Sequence, residues 1–289
     1  MAIYSIRDIA KISGIKAHTI RIWEQRYAII DPKRTASNIR YYTDGDLKFL
    51  MNVAFLNRKG IRISKIAKMS YKDIGIEVDR LSKTKAETSD HFQNLAIAML
   101  EMDEQKISAE LNCCFETMGA EQAILKVLVP FLEKTSLLCL AGSVNNIQEQ
   151  FACCLIRRKV FDAINELNLS NLSGRKIILY LSETGQQELY LLFAQYLLMK
   201  LNLQVVYLGS KVNIEELKFV NSIHKADYIY TIVAEQHKCF VADNYIKELS
   251  IALGDTNILV SGVKYTREPI DLPPNVTILE DLIELLDFF

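Results

Sequence analysis

Between His18 and Tyr42 the chain concentrates side chains able to hydrogen-bond to phosphates and to the edges of bases. Indexed at about 100° per residue, Ile20, Trp23 and Tyr27 share one stripe of a helix, while His18, Arg21 and Gln25 lie opposite. The first stripe is built to pack and the second is offered outward. Lys33, Arg34 and Arg40 follow at once in a basic loop. Donors on an exposed helix face, backed by nearby cations, suit insertion into a major groove with clamping of the backbone. An amphipathic helix with a solvated basic face fits the same residues, so the preceding segment carries weight.

That segment reads as a helix with its own start signal. Ser5 and Asp8 stand at capping-box spacing, with Asp as a shorter substitute for the usual Glu, and a short helix is expected from Ile6 to about Ile12. Gly14 breaks it, and a second helix begins near Lys16. Two short helices across a glycine turn make a helix-turn-helix, the second being the recognition helix. Pro32 stops that helix, and Ser37 and Asn38 sit between extended flanks as the turn of a hairpin wing. Thr43 and Asp46 cap a third helix running to Gly60, and Ile63, Ile66 and Met69 mark a short fourth.

The run Thr19-Ile-Arg-Ile-Trp-Glu-Gln-Arg-Tyr27, followed by Pro32, Arg34, Arg40, Tyr42 and Asp46, resembles the winged-helix domain of the MerR family without a gap. The similarity is greatest to the branch carrying a cobalamin-binding sensor. The resemblance implies DNA contacts from Arg21, Arg26, Arg34, Arg40 and Tyr42, and a structural role for Trp23. With the outward and basic positions, the candidate DNA-binding set is His18, Thr19, Arg21, Gln25, Arg26, Lys33, Arg34, Arg40 and Tyr42.

Charge is divided to match. Over 289 residues the net charge is −1, yet residues 1–75 hold 15 Lys and Arg against 6 Asp and Glu, while the remainder holds 19 against 29. A basic head on an acidic body favours contact with a polyanion through the head alone. No apolar run reaches the roughly 18 residues of a membrane span, and the start lacks a signal-peptide core, which leads to an expectation of a cytoplasmic protein. The six cysteines, at 113, 114, 139, 153, 154 and 239, have no zinc-like CxxC spacing and are expected as buried thiols.

The expected fold class is multidomain, α and α/β. Residues 1–75 form the winged-helix head, 76–172 a linker and four-helix bundle, and 173–289 a Rossmann-like, doubly wound parallel sheet. The flexible joint is placed at Tyr71–Lys85, where the pattern weakens. Helical periodicity covers segments near 90–103, 104–118, 121–138 and 146–168. After Gly174, short apolar strands alternate with helices: Lys176–Leu181, Gln204–Leu208, Tyr228–Val233, Asn257–Val260 and Val276–Ile278. Ligands of such sheets sit at the carboxyl ends of the strands.

A bundle followed by such a domain resembles the cobalamin module of methionine synthase and of light-sensing repressors of carotenoid synthesis. Counting back from Val206-Tyr207-Leu208-Gly209, the family's Asp-x-His-x-x-Gly motif falls on Gly185, Gln187 and Tyr190, so the cobalt-ligating histidine is absent. An amide nitrogen, its lone pair delocalised, is a far poorer donor than imidazole. The upper cap, a tryptophan and then Glu-His, reads Cys139 and Glu149-Gln150, and the paired glycines after the fourth strand read Ser261-Gly262. No cofactor is therefore expected; corrin binding through Glu149 or a nearby histidine such as His237 is the rival reading. An enzyme is disfavoured for want of a nucleophile–base pair. The reading is a transcriptional regulator that binds double-stranded operator DNA as a homo-oligomer, a dimer or a tetramer. A third reading, compatible with it, places another small-molecule effector in a cleft lined by Ser182, Gln187, Tyr207, Gln236 and Ser261.

Overall fold

Two sheets of opposite character organise the chain, one of three short antiparallel strands and one of five parallel strands. The computed structural model describes residues 3–35, 38–82, 88–140, 144–168, 174–183, 187–233, 239–262 and 272–289. They divide into two compact units, Met1–Ile156 and Arg157–Phe289.

The first unit opens with β1 (Ile3–Tyr4), α1 (Ile6–Ser13), α2 (Ala17–Tyr27), β2 (Lys33–Arg34), β3 (Arg40–Thr43), α3 (Asp44–Arg58) and α4 (Ile63–Ile66). Both capping boxes form. Ser5 and Asp8 exchange side-chain and backbone hydrogen bonds at the start of α1, as do Thr43 and Asp46 at the start of α3. Each box satisfies N–H groups that an open helix end leaves bare. Gly14, at φ +71°, closes α1 in the left-handed conformation that the tight turn to α2 requires.

The expected hairpin wing forms between β2 and β3, and β1 adds a third strand to it. Strand β3 pairs β2 on one side, Arg34 opposite Arg40, and β1 on the other, Tyr4 opposite Tyr42. A two-residue strand with one apolar and one aromatic residue shows too little alternation to be read from sequence.

Of the joint expected at Tyr71–Lys85, residues 71–82 are helical and residues 83–85 lie outside the described residues. Tyr71–Ser82 is a helix, α5, so the expected boundary at 75/76 falls inside it. Ser70 and Asp73 hydrogen-bond reciprocally across its first turn, and Tyr71 stacks on Phe49 of α3 with ring centroids 5.4 Å apart. Helices α6 (Thr88–Glu101), α7 (Glu104–Met118), α8 (Ala120–Ala123), a π-helical turn (Ile124–Leu128) and α9 (Val129–Leu140) follow, then α10 (Asn146–Asn165), which continues past the unit boundary. The head seats on α6 through α3. Lys59 Nζ lies 2.7 Å from Asp90 Oδ2, Arg58 donates to Gln93 at 2.7 Å, and Lys48 pairs with Glu101.

In the second unit, β4 (Lys176–Tyr180), α11 (Gln187–Lys200), β5 (Gln204–Gly209), α12 (Ile214–His224), β6 (Tyr228–Ile232), α13 (Cys239–Leu253), β7 (Asn257–Ser261), β8 (Val276–Leu279) and α14 (Leu282–Asp287) alternate as the pattern predicts. The order is β5–β4–β6–β7–β8, all parallel, so the switch point lies between β4 and β6. Ile177 through Leu181 are buried without a break, as an apolar strand covered on both faces must be. No helix of the described residues is long and apolar enough to cross a membrane.

A candidate nucleic-acid interface and a rebuilt ligand end

The face assignment of α2 follows from which residues it buries. Ile20 and Trp23 are buried and Tyr27 is half-buried, while His18, Arg21, Gln25 and Arg26 are exposed and Thr19 is partly so. Lys33 and Arg34 are exposed on β2, where Arg34 donates to Asn38 Oδ1 at 2.9 Å across the wing tip. Recognition helix and wing thus display one set of cations on one unit.

Two residues of the expected set are placed otherwise. Tyr42 has no accessible surface, because its register opposite Tyr4 turns it into the head's core; burial raises its pKa, and its hydroxyl has no hydrogen-bond partner among the described residues. It cannot reach DNA in this fold. Arg40 is committed to Glu24 on α2, with Nε at 3.1 and 3.2 Å from the carboxylate oxygens and Nη2 at 3.1 Å from Oε1. The hydrogen bond to Glu24 is the main cause of its raised pKa. A guanidinium fork on a carboxylate fixes orientation as well as distance. Arg40 therefore sets the wing against the recognition helix, and Glu24, an acid in a basic helix, is the partner that sequence reading missed.

The positions that the resemblance sets against cobalamin contacts fall in both units. Gln187 opens α11 half-buried, and Tyr190, also half-buried, packs edge-on against Phe193 at 6.0 Å. In the first unit Glu149 is buried and accepts from Ser136 Oγ at 2.8 Å; Gln150 beside it is exposed. Burial, with a hydrogen bond to Glu149, pushes the Cys139 thiol up to about 12. Gly185, Gln236 and His237 lie outside the described residues.

Two tyrosines meet at the carboxyl end of β4. Tyr180 is fully buried and shares a 2.7 Å hydroxyl contact with Tyr245 of α13, which also hydrogen-bonds Ser182. Beside it, Ser210 donates to Glu188 at 2.6 Å and Arg157 approaches the other oxygen at 3.6 Å, next to half-buried Tyr207. Ser261 is buried. Gly262 keeps its glycine for a local reason: at φ +83° a Cβ there would stand 2.4 Å from the carbonyl oxygen of Val233.

Residues 4–72 match the family described as MerR HTH family regulatory protein. The chain carries a MerR-family regulatory head. Its relatives include the HTH-type transcriptional repressor CarH of Myxococcus xanthus, 26% identical over 220 residues, which cover 74% of this chain and 73% of that protein. Another is the HTH-type transcriptional regulator MlrA of Escherichia coli, 28% identical over 30% of this chain and 36% of its own length. Among solved structures, the monomethylamine corrinoid protein of Methanosarcina barkeri matches at a TM-score of 0.53 and 15% identity, covering 70% of this chain and 98% of its own. That likeness is one of fold. Residues 4–72 thus form a DNA-binding head of the MerR helix-turn-helix type, the relatives that share it are transcriptional regulators, and the body has the fold of a corrinoid protein.

Proposed function

We propose that this MerR-type regulator binds an operator as a homo-oligomer and uses its body to join copies or to sense, without base-off cobalamin. Helix-turn-helix readers gain affinity by placing two recognition helices on two half-sites, and each chain contributes one. The observation that carries the reading is the exposed row of His18, Arg21, Gln25 and Arg26 on α2 beside Lys33 and Arg34 of the wing.

The residues of the body do not fit a cobalamin held by imidazole on cobalt. The ligand position carries the amide of Gln187, the ring of Tyr190 replaces the glycine, and Tyr180 and Tyr245 bond to each other at the carboxyl end of β4. The first lacks the imidazole donor and the second fills space, both on α11, while the tyrosine pair ties β4 to α13. A cytoplasmic location accords with a DNA-binding role.

Fluorescence anisotropy on duplexes from the chain's own promoter region tests the first half. Tight binding that falls steeply with salt is expected, and Arg21→Ala should weaken it by about 1 to 3 kcal/mol for a base contact or lower the salt slope by about one for a phosphate contact. Indifference to duplex DNA at low ionic strength would overturn the reading. For the second half, a cobalamin titration followed by visible absorbance should leave the spectrum unchanged; a stoichiometric shift would count against it.

A further inference from the structure

We propose that His91, Glu110 and Cys114 form a binding site for one zinc-like divalent metal ion inside the helical part of the first unit. One potential ligand atom from each residue lies within 4.8 Å of the others. Glu110 and Cys114 are four residues apart on α7 and so share a face, and His91 reaches them from α6.

The environment points to a ligand. His91 and Cys114 have no accessible surface. The Nδ1 atom of His91 lies 2.5 Å from Glu110 Oε1, while Nε2 has no hydrogen-bond partner among the described residues. A buried imidazole with one nitrogen unserved is costly, and native interiors avoid it. Asn94 donates to Glu110 Oε2 at 2.9 Å, holding the carboxylate in place from outside the trio. Such supporting hydrogen bonds are a regular feature of metal sites.

Imidazole nitrogen, carboxylate oxygen and thiolate sulfur together suit zinc, which takes all three in tetrahedral geometry; three protein ligands leave a fourth position for water or a small donor. On binding, the thiol transfers its proton to solvent and the sulfur lone pair goes to the metal. Nothing in this step is oxidised or reduced.

The site stands next to the seat of the head. Asp90, adjacent to His91, holds Lys59, and Gln93 holds Arg58 and donates to the carbonyl of Ser13 at 3.3 Å. Occupancy would fix the pose of α6 and α7 beneath these contacts and would therefore be felt by the DNA-reading domain. This regulatory consequence rests on the function proposed above; the metal site itself does not.

The test uses the full-length protein under reducing conditions, titrated with cobalt(II) as a spectroscopic stand-in for zinc. One equivalent should bind with a sulfur-to-cobalt charge-transfer band and the visible bands of a tetrahedral ion, and zinc should abolish both. Cys114→Ser should lose the charge-transfer band, and Cys113→Ser should keep it. Glu110→Gln, which preserves shape and burial, should weaken affinity by more than the roughly 10- to 100-fold that loss of a supporting hydrogen-bond partner costs, with circular dichroism confirming the fold. Absence of stoichiometric cobalt binding, or retention of the band in folded Cys114→Ser, would overturn the proposal. Neither result depends on whether the protein binds DNA.

Discussion

The head and the strand ends of the body have treated their surfaces in opposite ways. The head keeps its cations outside, on α2 and β2, and uses a buried framework of Ile20, Trp23, Tyr4 and Tyr42 to hold them there. At the carboxyl end of the sheet side chains bond to one another instead: Ser210 donates to Glu188, Tyr180 and Tyr245 share a hydroxyl contact, and Gln187 and Tyr190 are half-buried on α11. The parallel sheet is nevertheless intact. Scaffold and ligand rest on different residues, so apolar strands that bury themselves continue to fold whatever stands at their tips.

The comparison breaks most visibly if the framework is attacked. Trp23→Ala should destabilise the head by about 3 to 5 kcal/mol, the range for removing a buried aromatic. Denaturant unfolding followed by circular dichroism would measure it, and a wild-type midpoint would mean that the buried face of α2 is misassigned. In the body the matching framework position is Gly262. Its alanine variant meets the Val233 carbonyl at 2.4 Å in a left-handed backbone, so a loss of about 1 to 3 kcal/mol is expected in the same measurement. A neutral result would mean that β6 and β7 separate freely at their tips.

Smaller effects sharpen the distinction between display and support. Glu24→Gln removes the charge that holds Arg40. The pair is partly exposed, so stability should change by less than about 1 kcal/mol, while the wing loses its fixed orientation and operator affinity falls. Unchanged affinity with Glu24→Gln, together with a loss on Arg40→Ala, would show that Arg40 meets DNA directly and is no mere brace. Tyr42→Phe is expected to do least of all. Its hydroxyl is buried without a partner, so removal should be neutral or slightly stabilising, by up to about 1 kcal/mol, and should leave DNA binding untouched. Weakened binding at full stability would instead restore Tyr42 to the interface.

The buried histidine in α6 adds a contrast of its own. His237, which the sequence pattern sets after the third expected strand, draws attention because ligands of parallel sheets gather at such ends, but it lies outside the described residues. His91 sits in an ordinary helical pattern and gives no such cue. Its meeting with Glu110 and Cys114 depends on the packing of two helices across 19 and 23 residues of chain, which no local spacing encodes.

By itself the sequence determined what local rules govern: the capping boxes at Ser5 and Thr43, the break at Gly14, the packed and outward sides of α2, and five parallel strands within a residue or two of their ends. Period, caps and turns act over a few residues, and so they are legible in a linear string. Only the tertiary structure decided that β1 would join β3 and turn Tyr42 inward, that Arg40 would face Glu24 sixteen residues away, that Tyr71–Ser82 would fold as a helix against α3, and that Tyr180 would meet Tyr245. Those outcomes depend on which surfaces bury one another, a property of the packed chain that no single segment carries.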